Sequence, residues 1–362
     1  MITSDDYLFM SRALRLAENG INTTHPNPRV GCVMVRDGQI IGEAWHERAG
    51  KPHAELLALQ ASGERARGAT VYVNLEPCCH QGRTPPCTES LIDAGVSRVV
   101  AAMEDPNPQV ASGGITMLRE AGIDVDVGIM REQAVQLNRG FIQRMCFKRP
   151  WITVKVAASV DGRTAMASGE SKWISSAASR SDVQRLRARS SAIMTGVGTI
   201  LADNPALTVR QRGVDRQPLR VVMDSHLRMD ENASVLMPPE EVLIYTTTED
   251  HTKIQAFQKA GIEVVRLRAA NDAVDLHASI SELAARGIND LLVEAGPTLS
   301  GALLQSNLVD ELIIYLAPKI MGDAARGMFD LPGLAQLKEC TRFAMHDVRR
   351  VGEDLRLVLR PE

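Results

Sequence analysis

Aromatic residues are scarce in this chain of 362 residues, since Phe, Trp and Tyr together make up 4%. The hydrophobic cores must therefore be built mainly from aliphatic side chains. The excess of acidic over basic residues is also small, 44 against 41, for a formal net charge of −3. A near-neutral chain without a basic and aromatic patch has no global attraction to nucleic acid or to anionic membranes, so we expect neither as a partner.

Long apolar runs are missing as well, because none approaches the roughly 20 residues that span a bilayer. The N-terminal segment carries Asp5 and Asp6 and lacks the basic and apolar pattern of a signal peptide. The six cysteines are too sparse for a disulfide framework in a chain of this length. We therefore expect a cytoplasmic protein with reduced cysteines. At about 150 residues per domain, the length favours two or three domains.

Helices and strands alternate in the first half after a predicted hairpin. Apolar residues recur at helical spacing over residues 4–19, and strand-like runs at 30–35 and 39–44 flank the turn Asp37-Gly38. Further helices are predicted at 53–62, 88–94, 114–121 and 132–141, and further strands at 70–74 and 98–102. This order predicts a three-layer α/β domain with parallel strands.

A basic segment that ends in Pro150 separates the two halves, so we place one domain at residues 1–147 and the other at 148–362. The second half has a polar, Arg-rich helix predicted at 178–189 and strands predicted at 151–156, 192–195, 219–223, 242–246 and 291–294. Alternating runs at 343–348 and 354–359 predict a closing antiparallel hairpin. The second domain is therefore predicted to be a mixed α/β sheet.

One imidazole and two thiols, from His53, Cys78 and Cys87, form a donor set that suits zinc. Three protein ligands leave the fourth tetrahedral position for water, which is typical of a catalytic site. Such a site needs a group that moves protons, and Glu55 lies two residues from His53 in the first turn of a predicted helix. The pattern indicates metal-assisted hydrolysis.

An alternative is a structural zinc site in which Cys79 or His80 is the fourth ligand, although Glu55 would then have no role. His46 is expected to be an ordinary loop or strand-end residue. Arg83, between the two cysteine ligands, is either an exposed charge or a clamp for a substrate phosphate.

Two glycine turns follow predicted strands in the second half. One of them, 294–298, leads into a helix of small residues whose N-terminus and hydroxyls weakly indicate phosphate binding. The other, Gly196-Val197-Gly198, is half of a dinucleotide fingerprint, because no third glycine follows at the required spacing. Taken by themselves, both glycine turns are only weak evidence of ligand binding.

Taken together and in order, these segments resemble a known family. The His-x-Glu and Pro-Cys motifs are similar to those of zinc-dependent cytidine and nucleobase deaminases, except that eight residues rather than two separate Cys78 from Cys87. That longer insertion is similar to the bifunctional riboflavin-biosynthesis deaminase–reductases. The segments that carry the resemblance are HPNPRVG (25–31), HAE (53–55), LEPCCHQGRTPPC (75–87), DPNP (105–108), KVAASVDGR (155–163), GESKWIS (169–175), GVGTILADNP (196–205) and EAGPT (294–298).

The resemblance implies a cytidine-deaminase-like three-layer α/β/α domain followed by a dihydrofolate-reductase-like mixed-sheet α/β domain. It implies one Zn²⁺ per chain, held by His53, Cys78 and Cys87, with Glu55 as the catalytic proton carrier. The second domain would use NADPH, although the sequence alone does not decide between NADPH and NADH. The implied reactions are deamination of a phosphoribosylaminopyrimidine and reduction of its ribosyl group to ribityl. A homo-oligomer is expected by analogy.

The resemblance also assigns site residues. Those that would line the cofactor are Ala157, Trp173, Thr199, Asp203, Ser225, Gly296, Pro297, Thr298, Leu299, Ser300, Gly301 and Ala302. Those that would face the substrate are Asn27 and Arg83 in the deaminase half, and Ser171, Arg187, Leu207, Arg210 and Glu294 in the reductase half. Lys155 and Asp203 are further polar partners for the opening ribose.

Two other functions stay open at this point. One is a tRNA or nucleobase deaminase with an unrelated nucleotide-binding domain, against which the near-neutral charge and the long insertion count. The other is a zinc-stabilised sensor that binds a nucleotide in its second half.

Overall fold

The computed structural model describes residues 2–79, 86–107, 111–214 and 216–362. The chain forms two compact units, Met1–Lys148 and Arg149–Glu362, whereas the sequence placed the division after residue 147. Within the described part of the chain, no helix combines the length and the apolar character needed to cross a membrane.

Over its described residues, the first unit is a five-stranded sheet packed with helices, with the strand order β2-β1-β3-β4-β5. Strand β1 is antiparallel to both of its neighbours, whereas β3, β4 and β5 run parallel. Its elements are α1 Ser4–Glu18, β1 Gly31–Arg36, β2 Gln39–Trp45, α2 Ala54–Ser62, a 3₁₀ helix Gly63–Ala66, β3 Thr70–Val73, α3 Cys87–Asp93, β4 Arg98–Ala101, α4 Gly113–Glu120, β5 Asp124–Val127, α5 Arg131–Leu137 and α6 Arg139–Phe147.

Helices α1 and α2 lie on opposite faces of this sheet. A Cβ at Gly31 of β1 would come within 2.1 Å of the Ala13 carbonyl oxygen in α1, so the strand and this helix are in close contact. Three residues further along the same strand, Met34 accepts a hydrogen bond from Ser62 in α2. Because side chains alternate between the faces of a strand, residues three apart point to opposite sides. The predicted α/β/α layering is therefore present.

The loop before β1 is held by two buried asparagines that bond to the backbone of Arg29. Asn138 accepts from the Arg29 N–H at 2.8 Å and donates to its carbonyl at 3.0 Å. Asn74 donates to the same carbonyl at 2.9 Å and accepts from the Gly31 N–H at 2.8 Å. Asn138 also separates α5 from α6, so the single helix predicted over 132–141 was wrong. The position of Asn138 between the two helices lets its amide pair with the Arg29 backbone.

The second unit contains a nine-stranded mixed sheet, counted over its described residues, with the order β11-β10-β9-β8-β14-β6-β15-β18-β17. Strand β18 is antiparallel to β15 and to β17, which confirms the predicted closing hairpin. The elements are β6 Trp151–Ser159, β7 Arg163–Ala165, α7 Ala177–Arg189, β8 Ala192–Gly196, α8 Val197–Asp203, β9 Leu219–Met223, β10 Val242–Thr246, α9 His251–Lys259, β11 Glu263–Arg266, β12 Ala269–Ala270, β13 Ala273–Val274, α10 Leu276–Ala285, β14 Asp290–Val293, α11 Pro297–Gln305, β15 Glu311–Ala317, β16 Arg326–Gly327, β17 Phe343–Val351 and β18 Asp354–Pro361, with 3₁₀ helices at Ser234–Leu236, Pro239–Glu241 and Leu337–Glu339.

The parallel strands β9, β8, β14 and β6 are neighbours in this order, so their carboxyl ends meet along one edge of the sheet. Open α/β sheets bind ligands at this edge, in the crevice beyond the strand ends. Three of the residues predicted to bind the cofactor, Thr199, Ser225 and Gly296, follow β8, β9 and β14, which brings them together from distant parts of the sequence.

We expect Asn138→Ala to lower the stability of the first unit by about 1–3 kcal/mol, because the buried Arg29 N–H would lose its acceptor. The exposed Asn19 provides a matched control, and Asn19→Ala should have little effect. Urea unfolding of the full chain, with hydrogen exchange followed in peptides from β1, measures the difference. Equal effects of the two substitutions would contradict the role assigned to Asn138.

Candidate active sites

His53, Cys78 and Cys87 meet at one point in the first unit. Their ligand atoms all lie within 4.8 Å of one another. His53 Nδ1 lies 3.3 Å from Cys87 Sγ and 3.5 Å from Cys78 Sγ, and the Cys87 backbone N–H donates to Cys78 Sγ at 3.4 Å. The predicted ligand set is therefore assembled although its first and last members lie 34 positions apart in the sequence.

These three side chains are positioned by the N-termini of two helices and by the loop that follows a strand. His53 directly precedes α2, Cys87 is the first residue of α3, and Cys78 lies in the loop that follows β3. Hydrogen bonding from Cys87 and from His53 lowers the pKa of the Cys78 thiol. One imidazole and two thiols, one of them readily ionised, fit a borderline-soft divalent cation such as zinc.

Glu55 lies in the first turn of α2 and is buried, with 4% of its surface exposed. Its Oε2 atom has no hydrogen-bond partner among the described residues. Burial raises the pKa of this carboxyl to about 7, and the nearby His53 opposes that rise. A buried carboxyl with an unused oxygen and a pKa near neutrality can accept and return a proton.

Asn27 is hydrogen-bonded to His46, whose ring lies 5.5 Å from the ring of His53 in the cluster. The sequence had predicted no role in the site for His46. Asn27 Nδ2 lies 3.1 Å from His46 Nε2, and His46 Nδ1 lies 3.1 Å from the Pro52 carbonyl oxygen. Because a carbonyl can only accept, Nδ1 carries the proton, and Nε2 accepts from the Asn27 amide. Burial lowers the pKa of His46, which favours this neutral form. The Asn27 amide therefore has a defined orientation.

Glu76 is a second residue that the sequence did not reveal. Its buried carboxylate accepts four backbone N–H groups, from Asp105, Ser112, Gly114 and Ile115, at 2.9–3.1 Å. The last two belong to the first turn of α4, where a negative charge is favoured. Glu76 precedes Pro77 and Cys78 in the chain, so this network fixes the segment that presents a cysteine of the cluster.

The Cys79 sulfur lies beside Gly113, 2.8 Å from a Cβ added there, and it does not belong to the group of ligand atoms formed by His53, Cys78 and Cys87. This position counts against Cys79 as a fourth ligand. His80 and Arg83, the other residues considered in this segment, lie outside the described residues.

The second unit contains a cavity of about 1440 Å³. Ligand pockets usually measure about 300–1,000 Å³, so this one has room for a cofactor and a second molecule. Most of the predicted binding residues line it, namely Ala157, Ser171, Trp173, Arg187, Thr199, Asp203, Leu207, Arg210, Ser225, Glu294, Gly296, Pro297, Thr298, Leu299 and Ala302.

Ser300 and Gly301 are exceptions, since neither is among the residues that line the cavity. Ser300 is fully buried, and a Cβ at Gly301 would come within 2.0 Å of the Asp330 carbonyl oxygen. The helix α11 turns these two residues toward the protein interior. Their place in the cofactor site, which the resemblance implied, stays a prediction.

Both glycine turns lie at the cavity wall. A Cβ at Gly198 would meet no atom within 4 Å, so a ligand can approach this backbone closely. The Gly296 N–H donates to Thr199 Oγ1 at 3.1 Å, which joins the two turns. Open backbone of this kind suits the pyrophosphate of a dinucleotide.

Glu294 pairs with two cations at one end of the cavity. It contacts Lys155 Nζ at 3.0 Å and Arg187 Nε at 2.6 Å, and Arg187 also donates to the Thr208 carbonyl at 3.0 Å. Burial alone would raise the pKa of Glu294, but Lys155 and Arg187 outweigh it and lower the pKa to about 2. Arg187 is thus engaged by protein groups, whereas Arg210 is exposed at the cavity wall.

Polar contacts also fix the part of the cavity wall formed by Ser171, Lys172 and Asp203. Ser171 donates to the Asp203 carboxylate at 3.0 Å, and Lys172 Nζ donates to the Asp203 carbonyl at 3.1 Å. The exposed ring of Trp173 stacks with the Arg180 guanidinium, 4.4 Å from the ring centroid. These contacts order the segment that precedes α7.

Comparison with known proteins identifies both units. The family profile described as cytidine and deoxycytidylate deaminase zinc-binding region matches residues 3–103, and the one described as RibD C-terminal domain matches residues 150–357. The riboflavin biosynthesis protein RibD of Escherichia coli is 50% identical over 98% of this chain and 99% of its own length. That of Aquifex aeolicus is 41% identical, with 98% of each chain covered.

Two solved structures agree over 99% of both chains. RibD from Acinetobacter baumannii is 44% identical with a TM-score of 0.93. A protein from Thermotoga maritima, described as a diaminohydroxyphosphoribosylaminopyrimidine deaminase and 5-amino-6-(5-phosphoribosylamino)uracil reductase, is 32% identical with a TM-score of 0.88.

The two units define a bifunctional enzyme in which a deaminase of the zinc-binding class precedes a reductase. This architecture confirms the predicted order of the two domains' folds, and it excludes a deaminase with an unrelated second domain. The chain belongs to the RibD family and is a deaminase and reductase of riboflavin biosynthesis.

We expect Glu294→Gln to destabilise the second unit by about 3–5 kcal/mol at neutral pH, because Lys155 and Arg187 would lose their buried countercharge. The pKa of Glu294 is about 2 in the folded protein against an ordinary 4.5, so the carboxylate stabilises the fold fully above about pH 4.5 and progressively less as the pH falls toward 2. The difference between wild type and variant should therefore shrink over that range.

Urea unfolding at a series of pH values, with hydrogen exchange followed in β14, measures this difference. The exposed Glu231 provides the control substitution, Glu231→Gln. A stability difference that grows as the pH falls below 4.5 would be inconsistent with the assigned charge of Glu294.

Proposed function

We propose that the first unit deaminates 2,5-diamino-6-(5-phosphoribosylamino)pyrimidin-4(3H)-one to 5-amino-6-(5-phosphoribosylamino)uracil. The second unit then reduces the ribosyl group, which yields 5-amino-6-(5-phosphoribitylamino)uracil. The description of the Thermotoga maritima relative supports these substrates. The observation that carries the first step is the cluster of His53, Cys78 and Cys87 beside the buried Glu55.

His53, Cys78 and Cys87 would hold a single Zn²⁺. When bound, zinc supplies a Lewis acid that makes a water molecule acidic enough to be a nucleophile at neutral pH. The unused Oε2 of Glu55 and the donor set of the cluster support this assignment over a closed structural site.

Glu55 would carry the two protons of the attacking water in turn, one to the pyrimidine ring nitrogen and one to the leaving amine. The carbon–nitrogen bond to the exocyclic amine breaks, a carbonyl forms, and ammonia leaves. The low exposure of Glu55 keeps bulk water from competing for the proton. Asn27, oriented by His46, would hydrogen-bond the base or its ribose, and Arg83 is proposed to bind the 5′-phosphate.

The cavity of the second unit would hold NADPH and the opened ribosyl chain together. When bound, NADPH supplies a hydride to C1′ of the substrate. The backbone at Gly196–Gly198 and Gly296–Thr298 would hold the pyrophosphate. Lys155, kept in place by Glu294, and Asp203 would contact the opened ribose, whereas Arg210 would bind the substrate phosphate.

A cytoplasmic location, a homo-oligomeric assembly and the lack of nucleic-acid and membrane partners rest on the composition and on the resemblance. A zinc-stabilised sensor would need no proton carrier at Glu55, so substitution of this residue discriminates between a sensor and an enzyme.

We expect the purified protein to contain one zinc per chain, and we expect Cys87→Ser to lose it. Cys79→Ser should retain the metal, because the Cys79 sulfur lies beside Gly113 and does not belong to the cluster. Metal analysis after extensive dialysis measures the content of both variants. Loss of zinc from the Cys79 variant together with retention by the Cys87 variant would exclude the proposed ligand set.

We expect Glu55→Gln to keep its zinc and to slow deamination by about 10²- to 10⁴-fold, because the variant lacks the proton carrier. Product masses measured after incubation with the diaminopyrimidine substrate, zinc and NADPH follow this step. The same variant should still reduce 5-amino-6-(5-phosphoribosylamino)uracil when it is supplied directly, which shows that the second unit is intact. Deamination at the wild-type rate would rule out Glu55 as the proton carrier.

A further inference from the structure

The cavity of the second unit has two ends, which the order of the strands defines. Lys155 and Glu294 lie at β6 and just after β14, whereas Ser225 lies just after β9. Strands β9 and β6 are three strand spacings apart, about 14 Å, with β8 and β14 between them. The glycine turns that follow β8 and β14 therefore lie between the two ends.

This order fixes the direction in which a dinucleotide would lie. The nicotinamide must reach the reacting carbon of the substrate, which the proposed function places beside Lys155 and Glu294. The pyrophosphate would then cross the glycine turns, and the adenosine would extend toward Ser225. Residues at the Ser225 end are thus the ones that can distinguish NADPH from NADH, since the two cofactors differ by the adenosine 2′-phosphate.

The turn after β9 is rigid and presents two side chains to that end. Asp224 accepts the Met229 N–H at 2.9 Å through its carboxylate and the Leu227 N–H at 3.3 Å through its carbonyl. Leu227 and Met229 are buried and anchor the turn, and both Ser225 and Arg228 line the cavity. Ser225 Oγ accepts from the Val274 N–H at 3.1 Å, so its hydroxyl hydrogen can donate to a ligand.

The charges at this end favour an anion. Arg228 is exposed, and its guanidinium makes no ion pair or hydrogen bond with the described residues. Asp275 also lines this end, but Arg268 neutralises it at 2.5 Å, and its carboxylate caps α10 by accepting from the Ala278 N–H at 3.0 Å. His277 adds an imidazole donor to the same wall.

We propose that Arg228 binds the adenosine 2′-phosphate of the cofactor, together with the Ser225 hydroxyl, and thereby selects NADPH over NADH. The inference rests on the proposed reductase function and adds the residue that determines cofactor specificity. An unpaired guanidinium on a rigid turn can form charge-assisted hydrogen bonds to a phosphate without first breaking an internal ion pair.

The test compares the full-length wild type with Arg228→Gln. Nicotinamide fluorescence gives the dissociation constants of NADPH and NADH, and competition by adenosine 2′,5′-bisphosphate and by AMP isolates the 2′-phosphate. We expect Arg228→Gln to weaken NADPH binding about 10- to 100-fold, because one charged contact is lost, and to leave NADH binding unchanged. The preference for the bisphosphate over AMP should fall by a similar factor.

Arg266→Gln is the matched control, because Arg266 is an exposed arginine of the same unit that pairs with Glu249 at 3.0 Å and does not line the cavity. It should leave both dissociation constants unchanged. A loss in Arg228→Gln that is equal for NADPH and NADH, or no loss at all, overturns the assignment of Arg228. A wild type that binds neither cofactor overturns the reductase proposal itself, and the inference with it.

Discussion

Buried backbone groups must find hydrogen-bond partners, and this constraint decides where the site loops of both units lie. In the first unit, Asn74 and Asn138 satisfy the Arg29 backbone, and Glu76 satisfies four N–H groups around the start of α4. In the second unit, Asp224 does the same for the turn after β9. These side chains contact no proposed ligand, yet each holds a neighbouring segment that does.

The main features of the fold could be predicted because they depend on local patterns. Alternating and helical hydropathy marked most elements of the first unit and the closing hairpin of the second. Strand β5 escaped prediction because it is only four residues long, Asp124–Val127, and two of the four are acidic. The break between α5 and α6 escaped because it depends on a pairing of Asn138 with Arg29, 109 residues away in the chain.

The candidate sites were predictable to the extent that chemistry dictates residue type. Zinc ligands and a nearby carboxylate occur at recognisable spacings in sequence. His53, Glu55, Cys78 and Cys87 could therefore be identified. His46 and Glu76 could not, because an imidazole that orients an amide and a carboxylate that binds backbone N–H groups have no fixed spacing in sequence. Likewise, Ser300 and Gly301 belong to a recognisable segment, but only the helix shows that they face the interior.

The chain has a small net charge, so anion binding must depend on individual arginines at the cavity. Arg187 is mostly covered and pairs with Glu294, so it helps to build the wall of the cavity. Arg210 and Arg228 are exposed at the cavity, where a guanidinium can meet a phosphate without breaking an internal ion pair. The pairing state of each arginine, rather than the number of arginines, therefore separates those that support the site from those that can bind ligands. Pairing depends on contacts between residues that are distant in the chain, as with Arg187 and Glu294. The sequence alone therefore could not show which arginines are paired and which are available to a ligand.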